Sequence, residues 1–380
     1  MKIEVGVSGL TRPPVDALIP MAQALEANGI EAMWFADHFL HWYPPSVWTA
    51  DIFPQAATEP SPHTFLDPGP LMGAVVTHTE RMIVGTGVTD AIRRHPAVIA
   101  QTFTTLDHMS HGRVRLGLGV GEAENILPYG LPYERTASRL IEAVEVIRLL
   151  WSTTDPVDFD GEFTQLHQAV IGLGPYGERP PEIWMPAHRP RVLRATGRLA
   201  DGWMPIIVDP GEYRTLLGDI RAASLAADRP IDAVRPGLYV WVVCDEDRDV
   251  AERLLDAPAL RLIALTAPAS MFKAAGAEHP LATKWGLTHY VPTELTRQEA
   301  LAAAAAVPDE VLQRYYIWGT PDDVVARLEP FLEAGCEVFN LTNIGPAADP
   351  SLAPKAGPRN LDIAAGLRAA AARITPSFVN

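Results

Sequence analysis

Eight short runs of strand-forming residues punctuate this chain, and the segments between them carry apolar residues at helical spacing. The runs fall at residues 3–7, from 33, and at 81–89, 113–121, 182–187, 202–208, 238–244 and 337–343. Regular strand–helix alternation calls for parallel strands, since each helix returns the chain to the same end of the sheet. The second run, Met33-Trp34-Phe35, lacks the alternation of a half-exposed strand and reads as one covered on both faces. Several helices carry their own boundary signals. Asn28-Gly29 stops a helix predicted over 15–27, and Thr320-Pro321-Asp322-Asp323 starts one carrying Val324, Val325, Leu328, Phe331 and Leu332 on a single face.

Eight such units in 380 residues, without a change of composition along the chain, predict an α/β fold: one (β/α)8 TIM-barrel domain spanning residues 1–380. Three segments exceed what a crossover needs and are expected as insertions after strands 2, 4 and 7, at about 43–70, 155–180 and 245–316. The first is rich in proline and holds Trp48, Phe53 and Phe65, which suit either a lid over an apolar ligand or packing on the barrel rim. An open doubly wound sheet fits less well. Gly117, Gly119 and Gly121 follow a G-x-G-x-G spacing, and Gly85 and Gly87 precede Asp90, so neither group makes a dinucleotide fingerprint.

Charge and composition exclude several functions. A formal net charge of -15 argues against nucleic acid as a partner, because phosphate binding needs concentrated positive charge. Lysine occurs four times and never after a glycine, which rules out a Walker-type phosphate loop. The only cysteines, Cys244 and Cys336, are expected to be buried and supply neither a disulfide framework nor a thiolate metal site. No apolar run approaches the roughly 18 residues of a membrane span. The first residues enter a strand without a leader-like pattern, and a cytoplasmic setting is expected.

Four strand ends carry polar or glycine-rich signals, and a barrel would bring them to one mouth. After the second strand come Asp37 and His38, with Trp42 four residues on. A histidine titrates near pH 6.5 and can move a proton, with the adjacent acid orienting it; alternatively Asp37 caps a turn and His38 is a polar strand end. Gly87-Val88-Thr89 ends the third strand. Beyond the fourth stand Gly121, Glu122 and Asn125, where Glu122 is a second candidate for proton transfer and Gly119 and Gly121 either admit a flat ligand or allow tight packing. His188-Arg189-Pro190-Arg191 opens a helix, a setting that suits either a bound phosphate or two solvated arginines.

Taken together, the segments Ala-Asp-His-Phe with Trp42, Gly-Thr-Gly-Val-Thr ahead of Arg-Arg-His-Pro-Ala-Val-Ile-Ala-Gln, and Gly-Val-Gly-Glu-Ala-Glu-Asn resemble the bacterial-luciferase-like superfamily. Within it the chain is similar to the branch that uses the deazaflavin coenzyme F420. Pro-Glu-Ile-Trp, Ala-His-Arg-Pro-Arg-Val-Leu-Arg-Ala-Thr-Gly-Arg and Ala-Asp-Gly-Trp-Met-Pro-Ile look like the phthiodiolone ketoreductase group. The F420-dependent glucose-6-phosphate dehydrogenases resemble it less, since residues 205–212 hold no lysine or arginine for a sugar phosphate.

The resemblance implies that Asp37, Thr89, Val120, Gly121 and Asn125 surround the deazaflavin, while His188, Arg189, Arg191 and Val192 hold its phosphate-bearing tail. The matching segment before the tail-binding helix is often glycine-rich in the family, where this chain has His188 and Arg189. His38 and Glu122 would be the proton-transfer pair, Trp42 would lie by the substrate, and a non-proline cis peptide would fall near Gly87-Val88. No metal is implied; a homodimer is. The activity implied is hydride transfer between F420 and a carbonyl or secondary alcohol, with a bulky, lipid-like ketone as substrate. Two other readings keep the fold: an FMN-dependent monooxygenase, and a flavin-binding relative without catalysis.

Overall fold

The computed structural model describes residues 1–282 and 286–374. Eight parallel strands form the closed barrel: β1 (Glu4–Ser8), β2 (Ala32–Phe35), β3 (Ile83–Thr86), β4 (Val114–Gly119), β5 (Glu182–Met185), β6 (Gly202–Trp203), β7 (Arg235–Cys244) and β8 (Val338–Asn343). Each pairs with its successor, and β8 returns to β1 with Val338 opposite Glu4. One helix follows each strand: α1 (Leu18–Ala27), α2 (Pro68–His78), α3 (Pro96–Ser110), α4 (Thr136–Ser152), α5 (Pro190–Leu199), α6 (Pro210–Leu225), α7 (Pro321–Glu333) and α8 (Ala353–Arg373). Both cysteines are buried and unpaired. Among the described residues, no helix is long and apolar enough to cross a membrane.

Helix α2 is absent from the sequence reading, because Pro68-Gly69-Pro70 looks like loop. Both prolines instead occupy the first turn, where backbone N–H groups lack intrahelical partners in any case, and Asp67 caps the helix by accepting from the Gly69 N–H at 2.8 Å. Leu71, Met72, Val75 and Val76 form its buried face.

The third strand does not run unbroken to Thr89. It stops at Thr86, the Gly87–Val88 peptide is cis, and Thr89–Asp90 then pairs with Leu118 and Gly119. Thr86 Oγ1 bridges the break, donating to the Gly117 carbonyl at 2.8 Å and accepting from its N–H at 3.1 Å. This contact explains the glycine spacing in β4. A Cβ on Gly117 would lie 1.9 Å from the Thr86 carbonyl oxygen, and Gly121, at φ +84°, has the Ile126 side chain against it. Packing against the broken strand fixes Gly117, and a left-handed backbone fixes Gly121.

After β4, Val157–Asp160 and Gln165–Ala169 form an antiparallel hairpin. After β7, a run of helices leads to Ile317–Gly319, which pairs with the upper half of β7. Residues 283–285 of the 245–316 segment lie outside those described. Tyr43, Val47 and Phe53 are buried in a second apolar core with Leu260, Ile263 and Tyr316. Trp48 packs on Tyr43 and Phe53, and Phe65 on His38. Trp48 and Phe53 therefore bind the first insertion to the third, while Phe65 packs on the rim beside His38, which favours rim packing over the lid.

The barrel interior near the N-terminal ends of the strands holds a charged layer. Arg115 Nη2 donates to Glu4 at 2.9 Å and Nε to Glu182 at 2.8 Å, while Arg235 reaches Glu4 at 3.3 Å. The Arg115 guanidinium sits 5.1 Å from the Trp184 ring centroid and 5.8 Å from that of Trp34. Glu4 is buried; burial alone would raise its pKa, but Arg115 and Arg235 hold it below the usual carboxylate range. Replacing Arg115 with Met strands this carboxylate. Urea unfolding of Arg115→Met is expected to show a loss of about 3–5 kcal/mol, and a loss below about 1 kcal/mol would mean that the layer is not what holds this end closed.

Candidate active site

At the carboxyl ends of the strands lies a cavity of about 220 Å³. Its walls are mostly apolar, with Trp34, Val88, Met204, Ile206 and Trp241 among them. Nine of the twelve residues singled out from the sequence line it: Asp37, His38, Trp42, Thr89, Val120, Gly121, Glu122, Asn125 and His188. The other three do not. Arg189 precedes α5 as an exposed N-cap without a side-chain cap bond, Arg191 lines an outer groove between α5 and α6, and Val192 is buried in the main core. The first-turn N–H groups of α5 have no capping partner from the Arg189 side chain. Burial and the neighbouring Arg189 guanidinium push His188 down to about 4, leaving it neutral at physiological pH.

Asp37 does not orient His38. Its carboxylate accepts from Thr89 Oγ1 at 2.5 Å and pairs with Arg94 and, at 3.2 Å, with Arg93. Burial would raise its pKa, but these arginines outweigh it and hold the group below the usual carboxylate range. Arg93 also holds the Asp37 carbonyl at 2.7 Å and Asp90 at 2.5 Å. The ion-paired cluster thus pins the end of β2 to the segment after β3. Neither arginine was given a role from sequence, although both belong to the Arg-Arg-His-Pro motif.

The imidazole is oriented by Asn125. Asn125 Oδ1 accepts from the backbone N–H groups of Phe39 at 2.7 Å and Leu40 at 3.2 Å, which fixes the amide so that its NH2 faces His38 Nδ1 at 3.0 Å. An N–H donor there makes Nδ1 an acceptor, and the neutral ring then carries its proton on Nε2. Asn125 sits on the short helix Ala123–Ile126, directly after Glu122. Glu122 Oε2 lies 3.5 Å from His38 Nδ1.

One acid was missed. Glu124 is fully buried, its Oε1 accepting from Trp42 Nε1 at 3.1 Å and from Asn125 Nδ2 at 3.3 Å. Burial and the adjacent Glu122 carboxylate push its pKa well above 4.5. The alternation Glu-Ala-Glu was the available signal. Trp42, expected near a substrate, stands edge-on to His38 with centroids 5.5 Å apart.

The chain matches the luciferase-like monooxygenase model over residues 1–337 and belongs to that family. The phthiodiolone/phenolphthiodiolone dimycocerosates ketoreductase of Mycobacterium kansasii is 35% identical over 334 residues, covering 87% of this chain and 91% of that protein. The F420-dependent glucose-6-phosphate dehydrogenase of Amycolatopsis mediterranei is 29% identical, covering 87% and 89%. An F420-dependent secondary alcohol dehydrogenase, solved with an F420-acetone adduct, shares the fold at a TM-score of 0.75 and 23% identity over 98% of this chain and 99% of that one.

An acid whose folded pKa is raised above its unfolded value contributes full stability below the unfolded pKa, here 4.5, and loses it as pH rises through the folded value. Glu124→Gln keeps the shape without the ionisation. The variant is expected to melt above the parent protein at pH 7–8 and to converge with it near pH 4; a lower melting temperature at both pH values would place an ionised carboxylate at this site.

Proposed function

We propose that the cavity is the catalytic centre of hydride exchange between coenzyme F420 and a carbonyl or secondary alcohol, with His38 handling the hydroxyl proton. The chain is an F420-dependent oxidoreductase; the reading adds the roles of residues and the class of substrate. The observation that carries it is the Asn125-fixed imidazole at the wall of an apolar cavity.

The residues fit such a cofactor. A mostly apolar cavity suits a planar ring, and the unpaired first-turn N–H groups of α5, next to His188, suit a phosphate. Asp37, Thr89, Val120, Gly121 and Asn125 would surround the ring; the α5 backbone at Arg191 and Val192, with the His188 and Arg189 side chains, would hold the tail. When bound, F420 supplies or accepts the hydride. The protein's part is to position, exclude water and move a proton. In either direction the Nε2–H of His38 donates a hydrogen bond to the substrate oxygen as that oxygen gains or sheds its proton, and the proton itself is exchanged with Glu122, the other member of the pair. Glu122, partly exposed, exchanges protons with solvent. Trp42 and Trp241, 5.1 Å apart, form an apolar wall at the substrate end.

A bulky apolar ketone remains the proposed substrate, on the aromatic wall and the similarity to a lipid ketoreductase. At about 220 Å³ the cavity is smaller than most ligand sites, which run to roughly 300–1,000 Å³. Only the carbonyl end of such a molecule would be enclosed. The single-domain organisation, the expected homodimer and a cytoplasmic setting are part of the same reading.

His38→Ala is expected to bind F420 nearly as the parent does and to turn over about a hundredfold or more slowly. Unchanged turnover would remove His38 from the mechanism. In a panel of ketones and secondary alcohols with F420, kcat/KM is expected to rise with apolar bulk beyond the carbonyl, and activity confined to small polar sugars would reverse the substrate assignment.

A further inference from the structure

The wall that Trp42 and Trp241 give the cavity owes its apolar character to the way one indole is turned. Trp42 lines the cavity, but the group its Nε1–H donates to, Glu124 Oε1 at 3.1 Å, belongs to a fully buried side chain outside the lining. The N–H therefore points out of the cavity. Indole has no other polar atom, so what Trp42 presents to a ligand is carbon. Three further contacts hold the residue. Trp241 packs at 5.1 Å, the His38 imidazole stands edge-on at 5.5 Å, and the Tyr290 hydroxyl, from the third insertion, donates to the Trp42 carbonyl at 2.8 Å. None of them takes the N–H.

A carboxyl is a costly acceptor for an indole. Trp48, Trp151 and Trp203 donate to backbone carbonyls, at 2.8, 3.2 and 2.8 Å. Glu124 instead brings a second oxygen, Oε2, that is buried without a hydrogen-bond partner. Leaving such an oxygen unpaired costs stability, and departures of this kind gather at functional sites. The contact itself does not depend on charge, because an oxygen of either the carboxyl or the carboxylate accepts.

From this arrangement, and resting on the function proposed above, we infer that Glu124 is a specificity-determining positioning residue: it draws the Trp42 N–H out of the cavity, leaves the substrate end walled by carbon, and so favours an apolar ketone over a hydroxylated one. An apolar wall penalises a substrate hydroxyl that finds no partner. Without Glu124 the indole N–H would be the unpaired group, and turning it toward the cavity would offer that hydroxyl a donor. Glu124 never touches the substrate and acts through Trp42. Its Oε1 also accepts from Asn125 Nδ2 at 3.3 Å, but that amide keeps its hold on Phe39 and Leu40 and its contact with His38 without it. Removal of Glu124 thus alters selectivity more than turnover.

The test compares Glu124→Leu, which removes the acceptor, with Glu124→Gln, which keeps an oxygen that can accept. Ultraviolet resonance Raman spectra of the protein alone report hydrogen bonding at indole N–H, and the difference between the parent and Trp42→Phe isolates the Trp42 signal. That signal is expected to be of a hydrogen-bonded N–H in the parent and in Glu124→Gln, and of a weaker or absent bond in Glu124→Leu. In F420-dependent reduction, kcat/KM is then compared for an apolar ketone and its analogue with a hydroxyl in place of the terminal methyl. The parent is expected to prefer the apolar ketone by about a hundredfold, and Glu124→Leu to cut that preference about tenfold, with Glu124→Gln close to the parent and kcat for the smallest ketone similar in all three. A Trp42 signal that is unbonded in the parent overturns the contact. An unchanged preference in Glu124→Leu, or an equal loss on every ketone, overturns the role in selectivity. No F420-dependent turnover by the parent would instead sink the redox reading and the selectivity with it, and the Raman signal would then decide the contact alone.

Discussion

The polar wall of the cavity depends on the orientation of one amide. Two backbone N–H groups, from the turn that leaves β2, clamp the Asn125 oxygen, and the amide nitrogen then dictates which face of the His38 imidazole accepts and which carries the proton. A flipped amide would turn a donor into an acceptor at His38 and reverse the tautomer. The orientation needs the end of β2 and the start of the short helix after β4 to be held in register, and those are parts of the chain more than eighty residues apart.

Two buried charge clusters keep that register. On one side, Arg93 and Arg94 tie Asp37, Asp90 and Asp67 together, so the loop after β2 is fastened to the broken end of β3. At the opposite end of the barrel, the layer around Arg115 joins β1, β4, β5 and β7. Between them the interior is filled by Trp34 and Trp184, whose rings meet edge to face at 5.5 Å. Ionic groups serve as rigid spacers at both ends of an apolar plug, and the cavity is the space left above it. The insertions contribute from outside. Their shared core carries Trp241 and Trp42 at its inner edge, which is how residues far from the barrel repeat come to line the cavity.

Much of this was legible in the residues. The unbroken apolar run of β2, the capped α7 and the strand–helix alternation gave the barrel, because burial on both faces and helix termination leave strong local marks. His38, Glu122, Asn125 and Thr89 were found as polar residues at strand ends. What escaped detection had its cause in tertiary structure. Asp37 looked like a partner for His38 by adjacency, yet successive side chains at a strand end point apart, and two arginines from the next unit claimed it. Val192 lies on the buried stripe of α5 and Arg191 on its outer face, so only their backbone can serve a ligand. Glu124 was not singled out, since charged side chains are rarely buried, and its burial follows from contacts with Trp42 and Asn125 that no local pattern encodes.

The claim at the centre of this account is that the cavity is built for a deazaflavin. Equilibrium titration of the protein with F420 and, separately, with FMN tests it without requiring a substrate. Saturable F420 binding is expected to be at least about a hundredfold tighter than FMN binding, a difference of roughly 2.8 kcal/mol. Preferential binding of FMN would contradict it.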